Sequence, residues 1–241
     1  MKVTGPLLAV FAHPDDESFG TGGTLARYAA AGVPVTVLTA TRGERSTLGT
    51  SGRYAPTELA ALREQELRCA ARALGVAEVR LLGYPDGGLS DLPPGRLAAD
   101  IGAAIAELRP GVVITFDVGG ITGHPDHIAV ARATTAALAA LAPAWPCRLY
   151  YWALPARLAT SIEPLTGHCW VPTSDVAVDV TVDTTAFLAR QQAAIACHKS
   201  QSEPLPVPLV ARLAAQSGHE YFVLALSTVP DDRPSPTDLF G

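Results

Sequence analysis

The sequence predicts an α/β fold built around a mostly parallel sheet. Seven short apolar runs of β-forming character recur along the chain, and alanine- and leucine-rich segments with helical spacing separate most of them. Strands that alternate with helices form βαβ units, and such units build parallel sheets. With 241 residues, 48% of them hydrophobic and 17% charged, the chain is large and apolar enough to bury a core.

The predicted strands and helices follow one another in a regular order. Strands are expected at Leu7–Ala12, Pro34–Thr39, Glu78–Leu82, Val112–Phe116, Arg148–Leu154, Val176–Val182 and Tyr221–Leu226. Helices are expected at Thr21–Ala31, Pro56–Leu74, Pro94–Leu108, Pro125–Leu141 and Thr184–His198. Three of these helices begin at a proline, whose missing N–H costs nothing in the first turn. Gly32 and Gly75 stand just past helical segments, where a left-handed cap fits, and Asp183 has the residue type of an N-cap.

The chain is expected to form one main domain. It contains no internal repeat and no low-complexity linker, and at roughly 100–200 residues per domain we predict a single domain over residues 1–228. The last thirteen residues, VPDDRPSPTDLFG, contain three prolines and three aspartates. We expect this segment, 229–241, to be a tail or a strap over a neighbouring part of the protein.

Charge and cysteine content limit the partners and the location. The chain has 18 basic and 23 acidic residues, a net charge of −5, and no run of like charges, which argues against binding to nucleic acid or an anionic membrane surface. The N-terminal apolar run PLLAVFA is too short for a signal peptide or a membrane span. Cys69, Cys147, Cys169 and Cys197 form no CxxC pair, so we expect mostly buried thiols and a cytoplasmic location.

Polar residues collect after the first and fourth predicted strands. Residues His13 to Glu17 follow the first strand, and residues Asp117 to His127 follow the fourth. In a doubly wound sheet these two strands are neighbours, and ligands bind beyond their carboxyl ends. This order places His13 and Asp16 opposite His127. Two imidazoles and one carboxylate are a known ligand set of catalytic zinc.

Other interpretations of these segments remain open at this point. Asp15 and Asp16 are also a pair that can hold magnesium for phosphoryl transfer, although imidazoles are poor magnesium ligands. The run Gly20 to Gly23 looks like part of a dinucleotide fingerprint, but it stands eight residues past the strand, and no acidic residue ends the second strand. Because the chain has no G-x-S-x-G elbow, a serine hydrolase is not indicated.

Six segments of the chain resemble the LmbE-like, or PIG-L, family of metal-dependent N-acetylglucosamine deacetylases. They are AHPDDESFGTGGTLARYAAAG at 12–32, TRGE at 41–44, LREQELRCAARALGV at 62–76, LLGYPDGGL at 81–89, TFDVGGITGHPDHIAV at 115–130 and HKSQ at 198–201. They occur in the family's order, and the AHPDDE and HPDH motifs are specific in combination. The resemblance implies a Rossmann-like three-layer α/β sandwich and a zinc or ferrous ion used to hydrolyse an acetamide on an amino sugar.

The resemblance also implies the roles of the residues in the first and fourth loops. His13, Asp16 and His127 match the metal ligands of the family. Asp15, which is adjacent to a ligand and free of the metal, matches the general base. These assignments agree with the ligand set that the loop positions alone predict.

Further residues match positions that assist catalysis. His124 matches the histidine that stabilises the tetrahedral intermediate, and we expect it to act as an imidazolium that Asp126 orients or charges. Arg63 and Asp86 match positions that contact the substrate. Thr122 departs from the pattern, because some members of the family have a tyrosine there that reaches the oxyanion.

The predicted function is metal-dependent removal of the acetyl group from an N-acetylglucosaminyl substrate. A low-molecular-weight thiol precursor of the bacillithiol or mycothiol type is one candidate substrate. The alternatives are hydrolysis of another amide, magnesium-dependent phosphotransfer and non-catalytic carbohydrate binding. The expected partners are a small amino-sugar compound and further copies of the chain in a homo-oligomer, without nucleic acid or membrane.

Overall fold

In the computed structural model of the protein, residues 3–48, 50–166, 170–202, 218–230 and 232–241 are described. The strands are Leu7–Phe11 (β1), Val35–Thr41 (β2), Glu78–Tyr84 (β3), Val112–Phe116 (β4), Arg148–Ala153 (β5), Val180–Asp183 (β6) and His219–Ser227 (β7). The helices are Asp16–Ala30 (α1), Pro56–Leu74 (α2), Arg96–Leu108 (α3), Gly120–Gly123 (α4), Pro125–Leu141 (α5), Ala156–Thr166 (α6), Leu188–Cys197 (α7) and Lys199–Ser202 (α8).

Within those ranges the strands form one seven-stranded sheet in the order β3-β2-β1-β4-β5-β7-β6. The first five strands along the chain pair in parallel, and β7 runs antiparallel between β5 and β6. The sheet is therefore mostly parallel, which confirms the predicted α/β fold. The strand order reverses between β1 and β4, where Leu7 lies opposite Val112, so the predicted neighbourhood of these two strands is also confirmed.

Helices cover both faces of the central strands. Every residue of β1, β2 and β4 is buried, as expected for parallel strands inside a three-layer sandwich. α1, α2 and α7 pack together in one group, and α3 packs against α5 in another. In the part of the chain that is described, no helix has both the length and the apolar character needed to cross a membrane.

The predicted helix boundaries are right where the sequence carries strong start and stop signals. α2 and α5 begin at the predicted Pro56 and Pro125, and α2 ends before Gly75, which is left-handed with φ 82°. α1 instead begins at Asp16, five residues before the predicted Thr21. Glycines in the middle of α1 lower its helical propensity and hide its first turns from a sequence analysis.

Several boundaries differ because a tight turn replaces regular structure. α3 begins at Arg96, after Pro94. Short 3-10 turns precede β6 and α7, so the strand predicted from Val176 begins at Val180 and the helix predicted from Thr184 begins at Leu188. The helices α4, α6 and α8 were not predicted, since two of them have only four residues and α6 contains a proline.

The glycine-rich part of α1 permits unusually close packing. A Cβ added at Gly23 would lie 2.5 Å from the Cβ of Thr184, and one added at Gly20 would lie 2.5 Å from the ring of Trp152. Thr184 is held in place by a hydrogen bond from its N–H to the carbonyl of Gly218. These glycines therefore allow close packing. The packing explains the glycine-rich run at residues 20–23, which looks like part of a dinucleotide fingerprint.

We expect the substitution Gly23→Ala to lower the free energy of unfolding by about 1–3 kcal/mol, because the new methyl group overpacks the contact with Thr184. The matched control is Gly102→Ala on α3, where a new Cβ would be 3.7 Å from that of Ala137. There alanine gains about 1 kcal/mol of helix propensity, so the control should be as stable as the wild type or more stable. Urea unfolding followed by circular dichroism measures both, and an undiminished stability of Gly23→Ala would contradict the packing role.

Two of the cysteines expected to be thiols form a disulfide. Cys69 on α2 is bonded to Cys197 at the end of α7, 128 residues later in the chain. Cys147 is a buried free thiol, and Cys169 lies outside the described residues. The expectation is wrong for the bonded pair because disulfide formation depends on which helices meet, and spacing along the chain does not reveal that.

The C-terminal residues 232–241 contact β5 and α1. The guanidinium of Arg148 donates to both carboxylate oxygens of Asp232, at 2.7 and 2.6 Å, and to the carbonyl of Leu239 at 3.1 Å. The N–H of Leu239 donates to the hydroxyl of Tyr28 at 2.8 Å, and the Leu239 side chain is fully buried. A division of the chain at residue 228 stays a prediction.

Candidate active site

The candidate active site lies beyond the carboxyl ends of β1 and β4. Because these strands pair in parallel, the segment that follows β1 meets α4 and the start of α5. His13 and Asp16 belong to the first segment, and His127 lies in the first turn of α5. The structure therefore brings together the three residues that the sequence indicates as metal ligands.

The ligand atoms of these three residues lie close together, with one carboxylate oxygen of Asp16 nearest to each imidazole. His13 Nδ1 lies 3.2 Å from His127 Nε2, Asp16 Oδ1 lies 3.4 Å from His127 Nε2, and Asp16 Oδ2 lies 3.7 Å from His13 Nδ1. Ligands at about 2.0–2.1 Å from a tetrahedral zinc ion stand roughly 3.3 Å apart. Two imidazole nitrogens and one carboxylate at this spacing fit a divalent transition metal better than magnesium, which prefers oxygen ligands.

His127 is oriented by the backbone of α4. Its Nδ1–H donates to the carbonyl of Gly120 at 2.9 Å, and its ring stacks on Phe116 with a centroid distance of 4.1 Å. Gly120 has φ +69°, and a Cβ there would lie 3.0 Å from the Cβ of His127. Since the Nδ1 proton is engaged, the Nε2 lone pair is left to face the metal position.

Two buried carboxylates orient His13 in the same way. Its Nε2–H faces Asp86 Oδ1 at 3.1 Å and Asp126 Oδ2 at 3.3 Å. Asp126 also accepts hydrogen bonds from the N–H groups of Gly87 and Leu89. These contacts leave Nδ1 of His13 for the metal.

The placement of Asp86 and Asp126 differs from the roles expected of them. Asp86 is only 5% exposed and lies against His13. It therefore orients the metal ligand His13, and the substrate contact expected of it stays a prediction. Asp126 was expected to orient His124, but its carboxylate is fully buried and bonds to His13 instead. The reason is that the N–H groups of Gly87 and Leu89 hold the Asp126 carboxylate beside His13, whereas His124 precedes α5 as its N-cap.

Proton binding and metal binding compete at His13. Burial by itself lowers the pKa of His13, but its hydrogen bonds to Asp126 and Asp86 and the charge of Asp16 outweigh burial and raise that pKa to about 10. Burial and the charge of His13 lower the pKa of His127 to about 4. At neutral pH, a metal therefore has to displace a proton from His13 and none from His127.

We expect the apparent affinity for zinc to rise by about tenfold per pH unit between about pH 6 and about pH 9. In this range zinc must displace one proton from His13, and the proton concentration falls tenfold with each pH unit. Competition against a chelating dye of known pH dependence measures the affinity. Calorimetry in two buffers of different ionisation enthalpy measures the release of about one proton. An affinity that does not change with pH would contradict the protonation of His13 in the metal-free protein.

Asp15 has a strained backbone at the start of α1. Its φ of 122° and ψ of −30° lie in a region that costs a non-glycine residue about 1–3 kcal/mol and is found mainly at functional sites. The side chain is 15% exposed. Burial raises the pKa of Asp15 to about 6, against the opposing charges of Arg63 and His198. A carboxylate with such a pKa is suited to accept a proton and to return it.

Arg63, for which the resemblance implies substrate contact, is buried beneath Asp15. Its Nη1 donates to the carbonyl of Gly43 at 2.8 Å, and its Nη2 donates to the carbonyl of Pro14 and to Asp15 Oδ2, the latter at 3.0 Å. Gly43 has φ +65°, and a Cβ there would overlap the guanidinium. Arg63 is only 3% exposed, so its contacts are with Asp15 and the neighbouring backbone, and the substrate contact stays a prediction.

His124 caps the N-terminus of α5. The N–H of Asp126 donates to His124 Nδ1 at 3.1 Å, so the proton of the neutral ring lies on Nε2. Burial, and then the charges of His13 and His127, lower the pKa of His124. This favours a neutral ring rather than the expected imidazolium. One ring nitrogen of His124 lies within 4.8 Å of ligand atoms of His13 and His127, so the ring is a hydrogen-bond donor beside the metal position.

A buried ion pair behind Asp15 was not predicted. Glu17 and His198 are both fully buried, and His198 Nε2 lies 2.8 Å from Glu17 Oε1. The sequence pattern places Glu17 in the loop after the first strand and His198 at the end of a predicted helix, without relating the two. The HKSQ segment at 198–201, which belongs to the family resemblance, is the signal that could have identified this pair.

The chain is similar to known proteins over most of its length. Residues 8–138 match the family model of PIG-L, described as GlcNAc-PI de-N-acetylase. A relative from Mycolicibacterium vanbaalenii, named 1D-myo-inositol 2-acetamido-2-deoxy-alpha-D-glucopyranoside deacetylase, is 35% identical. That alignment covers 99% of this chain and 98% of the relative.

Two solved structures are similar over most of the chain. A conserved protein from Thermus thermophilus is 30% identical with a TM-score of 0.68, over 96% of this chain and 100% of that one. The N,N'-diacetylchitobiose deacetylase from Pyrococcus horikoshii has the same fold, with a TM-score of 0.70 and 21% identity over 91% of this chain and 83% of that one. The family match over more than half of the chain, and the relative that is similar over nearly its full length, show that the chain belongs to the PIG-L family of de-N-acetylases.

Proposed function

We propose that this PIG-L deacetylase uses zinc to remove the acetyl group from the 2-acetamido group of an N-acetylglucosaminyl compound. The observation that carries the proposal is the convergence of His13 Nδ1, Asp16 and His127 Nε2 within 3.2–3.7 Å of one another, next to the strained Asp15. These are the two parts that amide hydrolysis requires, a site for a Lewis acid and a general base.

The substrate class is proposed from the relatives. The Mycolicibacterium vanbaalenii relative is named for an acetamido sugar linked to inositol, so an N-acetylglucosaminyl inositol, as in a precursor of a mycothiol-type thiol, is the first compound to test. A cytoplasmic location and a homo-oligomeric state also belong to this proposal and stay predictions.

Zinc fits the ligand set better than magnesium. His13, Asp16 and His127 supply two nitrogens and one carboxylate at tetrahedral spacing, a set that ferrous iron also accepts. When bound, zinc supplies Lewis acidity, which lowers the pKa of water and polarises an amide carbonyl.

Asp15 moves the proton in the proposed mechanism. Its carboxylate accepts a proton from the attacking water and later delivers it to the departing amine nitrogen. The pKa near 6 means that most Asp15 side chains are ionised at neutral pH and still basic enough to take this proton. Arg63 fixes the carboxylate through a 3.0 Å hydrogen bond, which limits its rotation.

His124 supports the charge that develops on the acetyl oxygen. With Nδ1 engaged by the N–H of Asp126, its Nε2–H is the donor available to the oxyanion. One such donor is worth about 3 kcal/mol of transition-state stabilisation. This contribution does not require the ring to be charged.

The proposal is tested with untagged protein, its metal content and the release of free amine. The panel contains N-acetylglucosaminyl inositol, N,N'-diacetylchitobiose and N-acetylglucosamine, each with and without a chelator, and phosphate esters as the alternative substrates. We expect amine release that the chelator abolishes and zinc restores. Phosphate release without amine release would overturn the proposal in favour of phosphotransfer, and bound sugar without turnover would indicate a carbohydrate-binding relative.

A further inference from the structure

The strained backbone of Asp15 has a second support besides Arg63. Arg63 donates to the carboxylate of Asp15 and to the carbonyl of Pro14, on one side of the strained residue with φ 122°. The N–H of Asp15 donates to Glu17 Oε2 at 2.9 Å. An unusual conformation persists only when its surroundings determine it. This hydrogen bond holds the N–H end of the peptide group between Pro14 and Asp15, and Arg63 holds the carbonyl end.

Glu17 is itself fixed by partners on the other oxygen. Glu17 Oε1 accepts from the Ser18 hydroxyl at 2.5 Å and lies 2.8 Å from His198 Nε2. Both Glu17 and His198 are fully buried. A buried carboxylate keeps a single position only when its lone pairs are hydrogen-bonded and its charge is compensated. His198 bonds to Glu17 Oε1 and compensates the charge of that carboxylate.

His198 is anchored to the helix that also supplies Arg63. It follows Cys197, the last residue of α7, which is bonded to Cys69 of α2. Two residues further on, the N–H and hydroxyl of Ser200 donate to Glu66 of α2 at 2.8 and 2.6 Å. The two supports of Asp15, Arg63 and the Glu17–His198 pair, are therefore tied to the same helix.

We propose that Glu17 and His198 are positioning residues that hold Asp15 in the orientation needed for proton transfer. Among the described residues, the side chains of this pair bond to each other, to the Ser18 hydroxyl and to the N–H of Asp15, so we infer that the pair acts on the reaction through Asp15. The inference rests on the proposed role of Asp15 as the general base. Removing the pair should therefore lower kcat while the KM and the metal content stay close to those of the wild type.

A double-mutant cycle tests this inference. The variants are Glu17→Ala, Asp15→Asn and the combination, each examined for kcat, KM, zinc content and thermal unfolding. We expect Glu17→Ala to lower kcat by roughly 100-fold, the size of effect that a misplaced catalytic group produces. In the Asp15→Asn background the same change should cause no further loss, because residues that act as a unit are not additive. Multiplicative losses would overturn the inference, since they would mean that Glu17 acts independently of Asp15.

Conservative variants separate positioning from a general loss of structure. In Glu17→Gln the amide oxygen can still accept from the N–H of Asp15, so kcat should recover most of the loss. His198→Gln serves as the second test if Glu17→Ala does not fold, and it should also lower kcat with an unchanged KM. Glu220→Gln is the matched control, because it changes a buried carboxylate that accepts from the N–H groups of Gly23 and Thr24 in the same helix α1 but has no part in the support of Asp15, and its kcat should equal that of the wild type.

The outcomes also distinguish the two proposals. If the wild type releases no amine, or Asp15→Asn keeps full activity, the proposed function fails. If Asp15→Asn is inactive while Glu17→Ala and His198→Gln both keep a wild-type kcat, only the positioning role is overturned.

Discussion

Replacing Asp15 with asparagine is expected to lower kcat by about 10²–10⁴-fold, the range that a positioned general base contributes. Asparagine has nearly the same shape and can still accept the hydrogen bond from Arg63, but it cannot take a proton from water. Because Asp15 is distinct from the three residues whose ligand atoms converge, we expect the variant to bind as much zinc as the wild type. Amine release and metal analysis on the same preparation measure the two effects.

The control for this variant is Asp100→Asn. Asp100 is also paired with an arginine, through a 3.1 Å contact with Arg96, but it lies on α3, away from the candidate site. Its kcat should be that of the wild type. If Asp15→Asn lost zinc to the same extent as activity, the division of roles between Asp15 and Asp16 would be wrong.

Replacing His13 with alanine is expected to remove both the metal and the activity. His13 supplies one of the three converging ligand atoms, and its loss leaves one nitrogen and one carboxylate, too few for a stable zinc site. The variant should therefore contain little zinc after dialysis and release no amine above the level of the chelated wild type.

Asp86→Asn provides a graded comparison for the metal site. The carboxylate of Asp86 lies 3.1 Å from His13 Nε2, and loss of such an orienting partner typically weakens metal affinity by about 10–100-fold. We expect an intermediate affinity that added zinc overcomes. If His13→Ala kept the metal, or Asp86→Asn lost it irreversibly, the assignment of the ligands and their supports would be contradicted.

The sequence predicts the fold well because its signals are local. β4, α2 and α5 have the predicted boundaries, and two of these begin at prolines that start a helix. The neighbourhood of β1 and β4 follows from the usual order of a doubly wound sheet. Because that order fixes which loops meet, the position of the candidate metal site could be predicted before any side chain was placed.

The supports of the site could not be predicted in the same way. Whether Arg63 reaches a substrate or Asp15 depends on how far α2 stands from α1, and the sequence contains no measure of that distance. Asp126 lies two residues from His124 in the chain, yet its carboxylate bonds to His13 across the sheet edge. Cys69 and Cys197 likewise meet only because α2 packs against α7.

The most direct test of the metal-dependent mechanism is a titration of the metal-free protein with zinc, in which bound zinc and the rate of amine release are measured in the same samples. If His13, Asp16 and His127 form the catalytic metal site, the rate should rise in proportion to bound zinc and level off at about one equivalent per chain, because these three ligands hold one ion. Full activity in the metal-free protein, or zinc binding without any effect on amine release, would contradict that mechanism.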